Sequence, residues 1–390
     1  MALPLSYNVR NVRTRWQVSL LAVIGIGMVV AVFVALMAMR AGFQYALRST
    51  GNPANAMIVQ RGSASELTSW VPLDHRNRIV VDSRVARDKA GAPLASPEIV
   101  VVGSWPRRTD GSPTNVTIRG VSPRAFEVRG GLKITQGRMF TPGLYEVIVG
   151  ERIAARIQGF DLDNSIPIQR HGWKIVGIFA SNGGAFESEV WGDLDTMAGP
   201  LRRTGGSNAL ALRLTDPSSL DAFDTWIQDD PEMQLKAVQE EKYYADQGNG
   251  GLSTSLLVLV SLVSLTMGVG AVFGAMNTMY AIVSARTREI GTLRALGFSR
   301  RSVLFSFVVE SVILALVGGA LGCVLALPMN GFTTASGQTA GFAELAFAFQ
   351  VTPRIMTAGL IFATIMGFVG GLLPSFRAAR LPITSALREA

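Results

Sequence analysis

Four apolar stretches divide the chain, and each is long enough to cross a lipid bilayer. The first, Trp16–Met39, and the second, Leu252–Ala285, contain no charged residue. A membrane-spanning helix needs about 20 apolar residues. The second stretch would be about 51 Å long at ~1.5 Å per residue, so it must tilt or project beyond the bilayer core. Two further apolar stretches, Val303–Leu327 and Ile355–Leu373, each end at a proline.

This pattern predicts an integral membrane protein with four transmembrane α-helices and a large α+β extracytoplasmic domain inserted between helices 1 and 2. The predicted boundaries are a cytoplasmic N-terminus at 1–15, helix 1 at 16–40, the inserted domain at 41–250, helix 2 at 252–283, a cytoplasmic segment at 284–302, helix 3 at 303–327, a short extracytoplasmic loop at 328–353, helix 4 at 354–376 and a cytoplasmic tail at 377–390.

The inserted region has the short apolar and alternating stretches of a mixed α+β domain, separated by Gly and Pro. Seven strands are predicted, at Ala56–Gln60, Glu98–Val102, Asn115–Val121, Glu146–Val149, Ser165–Gln169, Lys174–Phe179 and Ala209–Leu214. Helices are predicted at Glu151–Gln158, Asp193–Leu201 and Ser218–Gln228. Ala41–Arg48 is expected to extend helix 1, Glu240–Gln247 to lead into helix 2, and Gly248–Gly251 to interrupt that path.

The distribution of charge gives an orientation. The net charge is +8, yet residues 41–246 contain 23 Lys and Arg against 24 Asp and Glu. The excess is Arg beside the apolar stretches, at Arg10, Arg13, Arg15, Arg286, Arg288, Arg294, Arg300, Arg301, Arg377, Arg380 and Arg388, while 328–353 has no Lys or Arg. By the positive-inside rule, an inner-membrane protein with both termini in the cytoplasm is predicted, and a nucleic-acid-binding surface is not.

The inserted region carries little recognisable chemistry. It contains no HExxH or GxSxG motif and no Cys/His cluster, and the single Cys323 excludes an internal disulfide framework. His75 and His171 are far apart, and each is more typical of a surface histidine than of a metal ligand. Two close acidic pairs, Glu187 with Glu189 and Asp193 with Asp195, can suggest a metal site or a catalytic pair of acids, but the alternation through Glu187–Trp191 favours the solvent-facing side of an edge strand.

The most informative stretch runs from Asn277, near the end of the second apolar stretch, to Arg301. It predicts the end of a long helix and then a short amphipathic one, with an apolar face formed by Ile290, Leu293, Leu296 and Phe298 and polar groups from Arg286, Arg288, Glu289 and Arg294. Gly297 is placed to end this helix and Ser299 to cap the next. Such a helix can rest on lipid headgroups or fit a groove on a cytoplasmic partner.

One acid, Glu310, lies well inside the third span. Intramembrane carboxylates are functional candidates by default. Arg301 lies only nine positions earlier, so an ion pair with an Arg near the cytoplasmic interface is also expected. The two alternatives are structural anchoring and a role in the mechanism.

The sequence resembles the MacB/FtsX-like family of ABC transporter permeases. The resemblance is carried by Arg286–Gly291 and Leu293–Gly297, by Glu310, and by the glycine-rich Gly318–Gly322. Weaker matches lie in the inserted region, at Arg119–Pro123, Gln136–Arg138, Val149–Glu151 and Trp173–Phe179.

The resemblance implies that 284–302 is a coupling segment that docks on a separate ATP-binding subunit, with Arg286, Arg288, Glu289, Ile290, Leu293, Arg294, Leu296 and Gly297 carrying the contact. The chain has no GxxxxGK[ST] phosphate-binding loop, so no cofactor is expected in it, and ATP with Mg²⁺ would bind the partner.

The further partners implied are a second permease copy, in a homodimer or heterodimer, membrane lipid, and a periplasmic adaptor with an outer-membrane channel. The function implied is ATP-driven export or extraction of an amphiphile, peptide, drug, lipid or lipoprotein. The alternatives are a mechanical signalling protein that activates an extracytoplasmic partner such as a cell-wall hydrolase, and a membrane receptor without an ATPase.

Overall fold

The computed structural model describes residues 16–249, 251–336 and 343–382. These residues form two compact units. The helical unit comprises the described residues within 1–41, 254–332 and 349–390. The inserted domain comprises those within 42–253 and 333–348. The helices are α1 (Trp16–Arg48), α2 (Leu73–Val80), α3 (Ala125–Arg129), α4 (Glu151–Arg156), α5 (Leu194–Ala198), α6 (Leu220–Asp229), α7 (Glu240–Asn249), α8 (Gly251–Ser284), α9 (Thr287–Ala295), α10 (Arg300–Ala326) and α11 (Pro353–Arg380).

The strands belong to the inserted domain. They are β1 (Asn55–Gln60), β2 (Val71–Pro72), β3 (Ala95–Pro106), β4 (Pro113–Val121), β5 (Lys133–Gly137), β6 (Glu146–Gly150), β7 (Ser165–Ile168), β8 (His171–Ala180), β9 (Glu189–Asp193), β10 (Gly206–Ser207), β11 (Ala209–Arg213), β12 (Leu235–Gln239), β13 (Thr333–Ser336) and β14 (Leu345–Ala348).

In the described part of the chain, four helices are long and apolar enough to cross a membrane. Their candidate spans are Leu20–Arg48, Val258–Ser284, Arg300–Met329 and Pro353–Arg380. Helix α1 continues through Arg48 as predicted. Gly248 and Asn249 lie in α7 and Gly251 lies in α8, but the interruption predicted there includes residue 250, which lies outside the described residues.

Glycines allow the helices of the helical unit to approach closely. A Cβ added at Gly322 would lie 2.5 Å from the carbonyl oxygen of Gly27, and one at Gly318 would lie 2.9 Å from that of Val23. Such contacts are typical of membrane helices packed through small residues. A Cβ at Gly270 or Gly274 of α8 meets nothing within 4 Å, so close packing explains the glycines of α10 but not these two.

A ten-stranded mixed sheet organises the inserted domain. The strand order is β12-β1-β11-β3-β4-β9-β6-β8-β5, with β7 added on β8. The β4–β9 and β6–β8 pairs are parallel and the others are antiparallel. Apolar side chains from the sheet and its helices form the core, including Trp173, Phe160 and Ile99 in one cluster and Phe179, Phe186 and Trp191 in another.

All seven predicted strands and all three predicted helices coincide with elements of the structure, with ends that differ by a few residues. The α+β class of the inserted domain is therefore confirmed. Strands β5 and β12 and helices α2 and α3 were not predicted, because their sequences are short and rich in polar residues. The short loop expected at 328–353 contains a β-hairpin, β13–β14, and this hairpin belongs to the inserted domain.

The centre of the sheet contains charged groups. The guanidinium of Arg119 on β4 is buried and donates hydrogen bonds of 2.7–3.0 Å to Glu66, Glu98 and Glu189. Arg129 donates to Glu98 over 2.7 Å. The solvent-facing edge strand predicted at Glu187–Trp191 is therefore wrong: β9 is a central strand, and its acids are buried because arginines on neighbouring elements neutralise them.

Candidate functional site

The predicted coupling segment is a short helix, α9, joined to the long helices by two tight turns. At its end, Gly297 has a φ of +95°, its N–H donates to the Arg294 carbonyl, and the Phe298 N–H donates to the Leu293 carbonyl. These two bonds form a Schellman motif, in which glycine is favoured. Ser299 then caps α10 by accepting a hydrogen bond from the Ser302 N–H over 3.2 Å. The capping roles predicted for Gly297 and Ser299 are confirmed.

A buried ion pair fixes the start of α9. Arg286, immediately before the helix, donates through Nη1 to both carboxylate oxygens of Glu310, over 3.0 Å and 2.8 Å. The side chains are 4% and 5% exposed, and the guanidinium also lies over the ring of Phe307. An arginine was expected as the partner of Glu310, but it comes from the far end of the turn. Arg301, nine residues away on the same helix, is about 14 Å along the axis from Glu310.

A second contact fixes the end of α9. Arg294 donates through Nη1 to the Ala379 carbonyl over 2.9 Å and to the Leu381 carbonyl over 3.4 Å. These carbonyls end α11, where the last turn of a helix leaves its C=O groups without intrahelical partners. A cation at that end is also favoured by the helix dipole. The chemistry of Arg294 was not predicted, because the end of α11 is 85 residues away in sequence.

The apolar face predicted for this helix does not point in one direction. Ile290 is 1% exposed and packs in a cluster with Met279, Val303 and Phe307 of α8 and α10. Leu293 is half-buried, and Leu296 is 69% exposed. The prediction that Ile290, Leu293 and Leu296 share one open docking face is therefore wrong, since Ile290 is covered by the helices of its own unit.

The outer side of α9 remains open. Arg288, Thr292 and Leu296 are exposed, and the side chain of Glu289 is 50% exposed while it contacts Arg286 over 3.3 Å. The segment thus has an inner side of Arg286, Ile290 and Arg294 that holds it on α10 and α11. Its outer side presents a positive charge and an apolar side chain to solvent.

The other sequence candidates do not form a site. His171 is exposed and stacks on Tyr145, and His75 contacts Asp74 over 3.5 Å. Asp193 caps α5 by accepting from the Thr196 N–H, and Glu187 pairs with Arg152. No group of three or more His, Cys, Asp or Glu side chains suited to a metal ion occurs within residues 16–249, 251–336 and 343–382.

Two family patterns together account for most of the chain. The pattern of the MacB-like periplasmic core domain matches residues 19–230, and the pattern of the FtsX-like permease C-terminal region matches residues 261–383. The chain belongs to the MacB/FtsX-like family of ABC transporter permeases. It is accordingly a multi-pass membrane protein, and α9 lies within the FtsX-like region, in its first third.

Curated relatives of this MacB/FtsX-like permease include proteins named as combined ATP-binding/permease proteins, and the chain spans about half of their length. This chain is 28% identical over 300 residues to the macrolide export ATP-binding/permease protein MacB of Burkholderia pseudomallei (strain 1710b). The aligned region covers 70% of this chain but 43% of that protein. It is 26% identical over 294 residues to the ABC transporter permease YknZ of Bacillus subtilis (strain 168), with 70% of each chain covered. Another permease of that organism, YvrN, is 44% identical over 115 residues, or 30% of this chain.

Solved structures of relatives overlap the inserted domain. The periplasmic region of MacB from Actinobacillus actinomycetemcomitans covers 53% of this chain at 12% identity, with a TM-score of 0.38. The extracellular domain of YknZ covers 47% at 14% identity, with a TM-score of 0.36.

Proposed function

We propose that this chain is the membrane subunit of an ATP-driven transporter and that α9 is the helix on which a cytoplasmic ATP-binding subunit docks. The observation that supports this most directly is that one side of α9 is packed on other helices while the opposite side is exposed. Its inner side is held on α10 by the Arg286–Glu310 pair and on the end of α11 by Arg294. Its outer side, with Arg288, Thr292 and Leu296, is open.

This arrangement suits the transmission of force. A partner that pulls or tilts α9 acts directly on α10 and α11, because a buried ion pair and a capped helix end resist sliding more than an apolar contact does. The burial of Ile290 adds a third point of attachment. Arg286, Ile290 and Arg294 would then carry motion inward, while Arg288, Glu289, Leu293 and Leu296 would contact the partner and Gly297 would set the turn.

ATP and Mg²⁺ would bind the partner subunit. The printed sequence contains no Gly-Lys dipeptide and hence no GxxxxGK[ST] loop to hold the nucleotide phosphates. Hydrolysis in the partner would move α9, and the inserted domain would respond on the other side of the membrane. The Arg residues that flank the spans support an orientation with both termini in the cytoplasm.

The substrate would be an amphiphile, peptide, drug, lipid or lipoprotein that is exported or extracted rather than passed through a polar pore. The glycine-mediated packing of α1 against α10 favours this, because it brings their backbones together. A second permease copy would complete the membrane part. A periplasmic adaptor with an outer-membrane channel would take up an exported substrate.

The test truncates one large aliphatic side chain to alanine on each side of α9. Both variants are made in the chain co-expressed with a cognate ATP-binding subunit. Leu296→Ala should weaken subunit association by more than ~1 kcal/mol, as loss of an interface anchor does, and should leave thermal stability unchanged. Ile290→Ala should lower the free energy of unfolding by roughly 2–4 kcal/mol, because it leaves a cavity. Complex yield, melting temperature and ATPase rate are the measurements.

Arg288→Glu provides the charge control on the outer side. It should reduce ATPase stimulation without changing membrane insertion, since the side chain is exposed. If Leu296→Ala and Arg288→Glu both leave association and ATPase rate at wild-type values, α9 is not the docking helix. Robust ATP hydrolysis by the isolated chain would also contradict the proposal.

A further inference from the structure

The segment between α10 and α11 is built as a hairpin whose two arms are hydrogen-bonded along their length. Close to the helices, the Gly331 N–H donates to the Phe349 carbonyl, and the Phe349 N–H donates to the Phe332 carbonyl, both over 2.9 Å. Further out, β13 and β14 pair in an antiparallel register from Thr333 opposite Ala348 to Ser336 opposite Leu345. The two arms therefore form one ribbon rather than two independent linkers.

Glu344, next to β14, binds several groups of the inserted domain at once. Its Oε2 accepts hydrogen bonds from Arg107 Nε over 3.0 Å and from the Thr114 hydroxyl, and its Oε1 accepts from Arg156 Nε over 3.0 Å. The second fork nitrogen of each arginine also lies 2.9 Å from the carboxylate. The Glu344 side chain is 5% exposed. The carboxylate thus accepts charge-assisted hydrogen bonds from two arginines, and such bonds are the strongest class of side-chain hydrogen bond.

The rest of β14 is held to the same domain by groups of different kinds. Arg152 donates to the Ala346 carbonyl over 2.8 Å, and the Ala346 N–H donates to the Ser188 hydroxyl over 3.0 Å. Phe347 is 1% exposed and meets the ring of Phe43 edge-on at 5.5 Å. The Arg152 guanidinium is itself fixed by Glu187, over 3.0 Å. The hairpin is thus an integral part of the inserted domain's packing.

Chain connectivity gives this docking a consequence. The ribbon continues at one end into α10, which carries Glu310, and at the other into α11, whose last carbonyls bind Arg294. We propose that Glu344 is a positioning residue that makes the hairpin a mechanical link from α10 and α11 to the inserted domain. This link would act in addition to the direct continuation of the chain through α1 and α8. The proposal rests on the proposed function, in which α9 drives α10 and α11.

The experiment separates docking from transmission and uses the full chain with Cys323 replaced by Ala. For docking, spin labels are placed at exposed Thr333 on the hairpin and at exposed Asp221 in the inserted domain, and their distance is measured in the chain alone in nanodiscs. Glu344→Gln should broaden this distance distribution, because it removes the charge that both arginines grip. For transmission, the distance between labels at Asp221 and Arg301 is compared in the complex before and after incubation with ATP, Mg²⁺ and vanadate, which traps ADP and vanadate in the ATP-binding subunit. Glu344→Gln should abolish the ATP-dependent change in distance.

Two further variants keep the test decisive. Glu146→Gln makes the same chemical change at an ion pair with Arg138 that does not involve the hairpin, and it should behave as wild type in both measurements. A disulfide between cysteines at Ser188 and Ala346, whose side chain and backbone already meet, should restore the ATP-dependent change in Glu344→Gln, and reduction should abolish it again.

The outcomes are distinguishable from failure of the proposed function. If the wild-type chain shows no ATP-dependent change because no ATP-binding subunit associates with it, the proposed function is refuted. The hairpin distance measured in the chain alone still tests whether Glu344 holds the hairpin on the inserted domain. If Glu344→Gln keeps a narrow hairpin distance and a wild-type response to ATP, the mechanical link is refuted. If docking is lost but the response to ATP persists, the hairpin packs on the domain without transmitting motion, and the positioning role is refuted.

Discussion

The inserted domain and the helical unit both bury arginine against glutamate, but they do so in different surroundings. In the inserted domain, Arg119 contacts carboxylates from three other elements: Glu66 beside β2, Glu98 on β3 and Glu189 on β9. In the helical unit, Arg286 grips both oxygens of Glu310 across the turn that leads from α8 through α9 to α10.

The difference lies in what each arrangement would allow to move. Glu98 and Glu189 lie on strands paired on either side, whereas Glu66 lies in a short 3-10 helix. Trp191 and Tyr244 donate further hydrogen bonds to Glu189 and Glu66. Arg119, Glu98 and Glu189 therefore cannot shift without disturbing the sheet. Arg286 and Glu310 belong to helices joined by turns, so the pair can move as a unit with α9. Similar chemistry therefore fixes a core in one place and an angle between helices in the other.

The largest expected effect separates these two uses. Arg119→Met leaves three buried carboxylates without their shared countercharge, and uncompensated buried charge costs roughly 3–5 kcal/mol. We expect the inserted domain to lose its fold, measured as lost protease resistance and a lower melting temperature in detergent. Arg78→Met, at a half-exposed ion pair with Asp230, is the control and should change stability by less than ~1 kcal/mol. Equal effects of the two changes would show that the network does not hold the core.

The sequence predicted the elements with strong periodicity and missed those that depend on distant partners. Uncharged length identifies the four spans, and alternation identifies strands such as β4 and β8. Strand β9 was assigned to the surface because Glu187 and Glu189 alternate with apolar residues, and alternation by itself treats an acid as solvent-facing. The arginines that neutralise these acids, Arg152 and Arg119, lie 35 and 70 residues away, so no local pattern shows that the acids are buried.

The candidate site shows the same limit. The caps of α9 and α10 are local, so Gly297 and Ser299 could be assigned from the sequence. The partner of Glu310 was not assigned. Helix geometry excludes Arg301, since nine residues place it more than two turns from Glu310, but the choice of Arg286 among the other arginines depends on how the turn folds back. The grip of Glu344 on Arg107 and Arg156 joins regions about 190–240 residues apart and requires the folded domain.

A smaller effect is expected from the pair in the helical unit. Glu310→Gln keeps the shape of the side chain and removes the countercharge of Arg286, and hydrogen bonds to charged groups contribute roughly 1.5–3 kcal/mol. We expect a modest fall in melting temperature and a marked loss of subunit-stimulated ATPase activity, because α9 is no longer fixed on α10. Glu146→Gln is the matched control: it makes the same change at an ion pair with the half-exposed Arg138 of the inserted domain, away from α9, and it should retain wild-type ATPase stimulation. If Glu310→Gln also retains wild-type stimulation, the Arg286–Glu310 pair does not serve coupling.

The smallest effects should come from two acids of the Arg119 network, and they should have opposite dependence on pH. Burial raises the pKa of Glu98 above its ordinary value, despite Arg129 and Arg119. Burial also acts to raise the pKa of Glu66, but the charge and hydrogen bonds of Arg119 outweigh it and the pKa lies below its ordinary value. A carboxyl with a raised pKa favours folding when protonated, and one with a lowered pKa favours folding when ionised.

The stabilisation linked to Glu98 is therefore complete below the ordinary pKa of glutamate and is lost as the pH rises through the pKa of the folded state. Glu98→Gln should gain stability relative to wild type as the pH rises. The stabilisation linked to Glu66 is present above the ordinary pKa and is lost as the pH falls, so the deficit of Glu66→Gln should shrink toward low pH. Melting temperatures of the three proteins across a pH series would check this. Parallel pH curves for the two variants would mean that the network titrates as a whole rather than through opposed carboxyl groups.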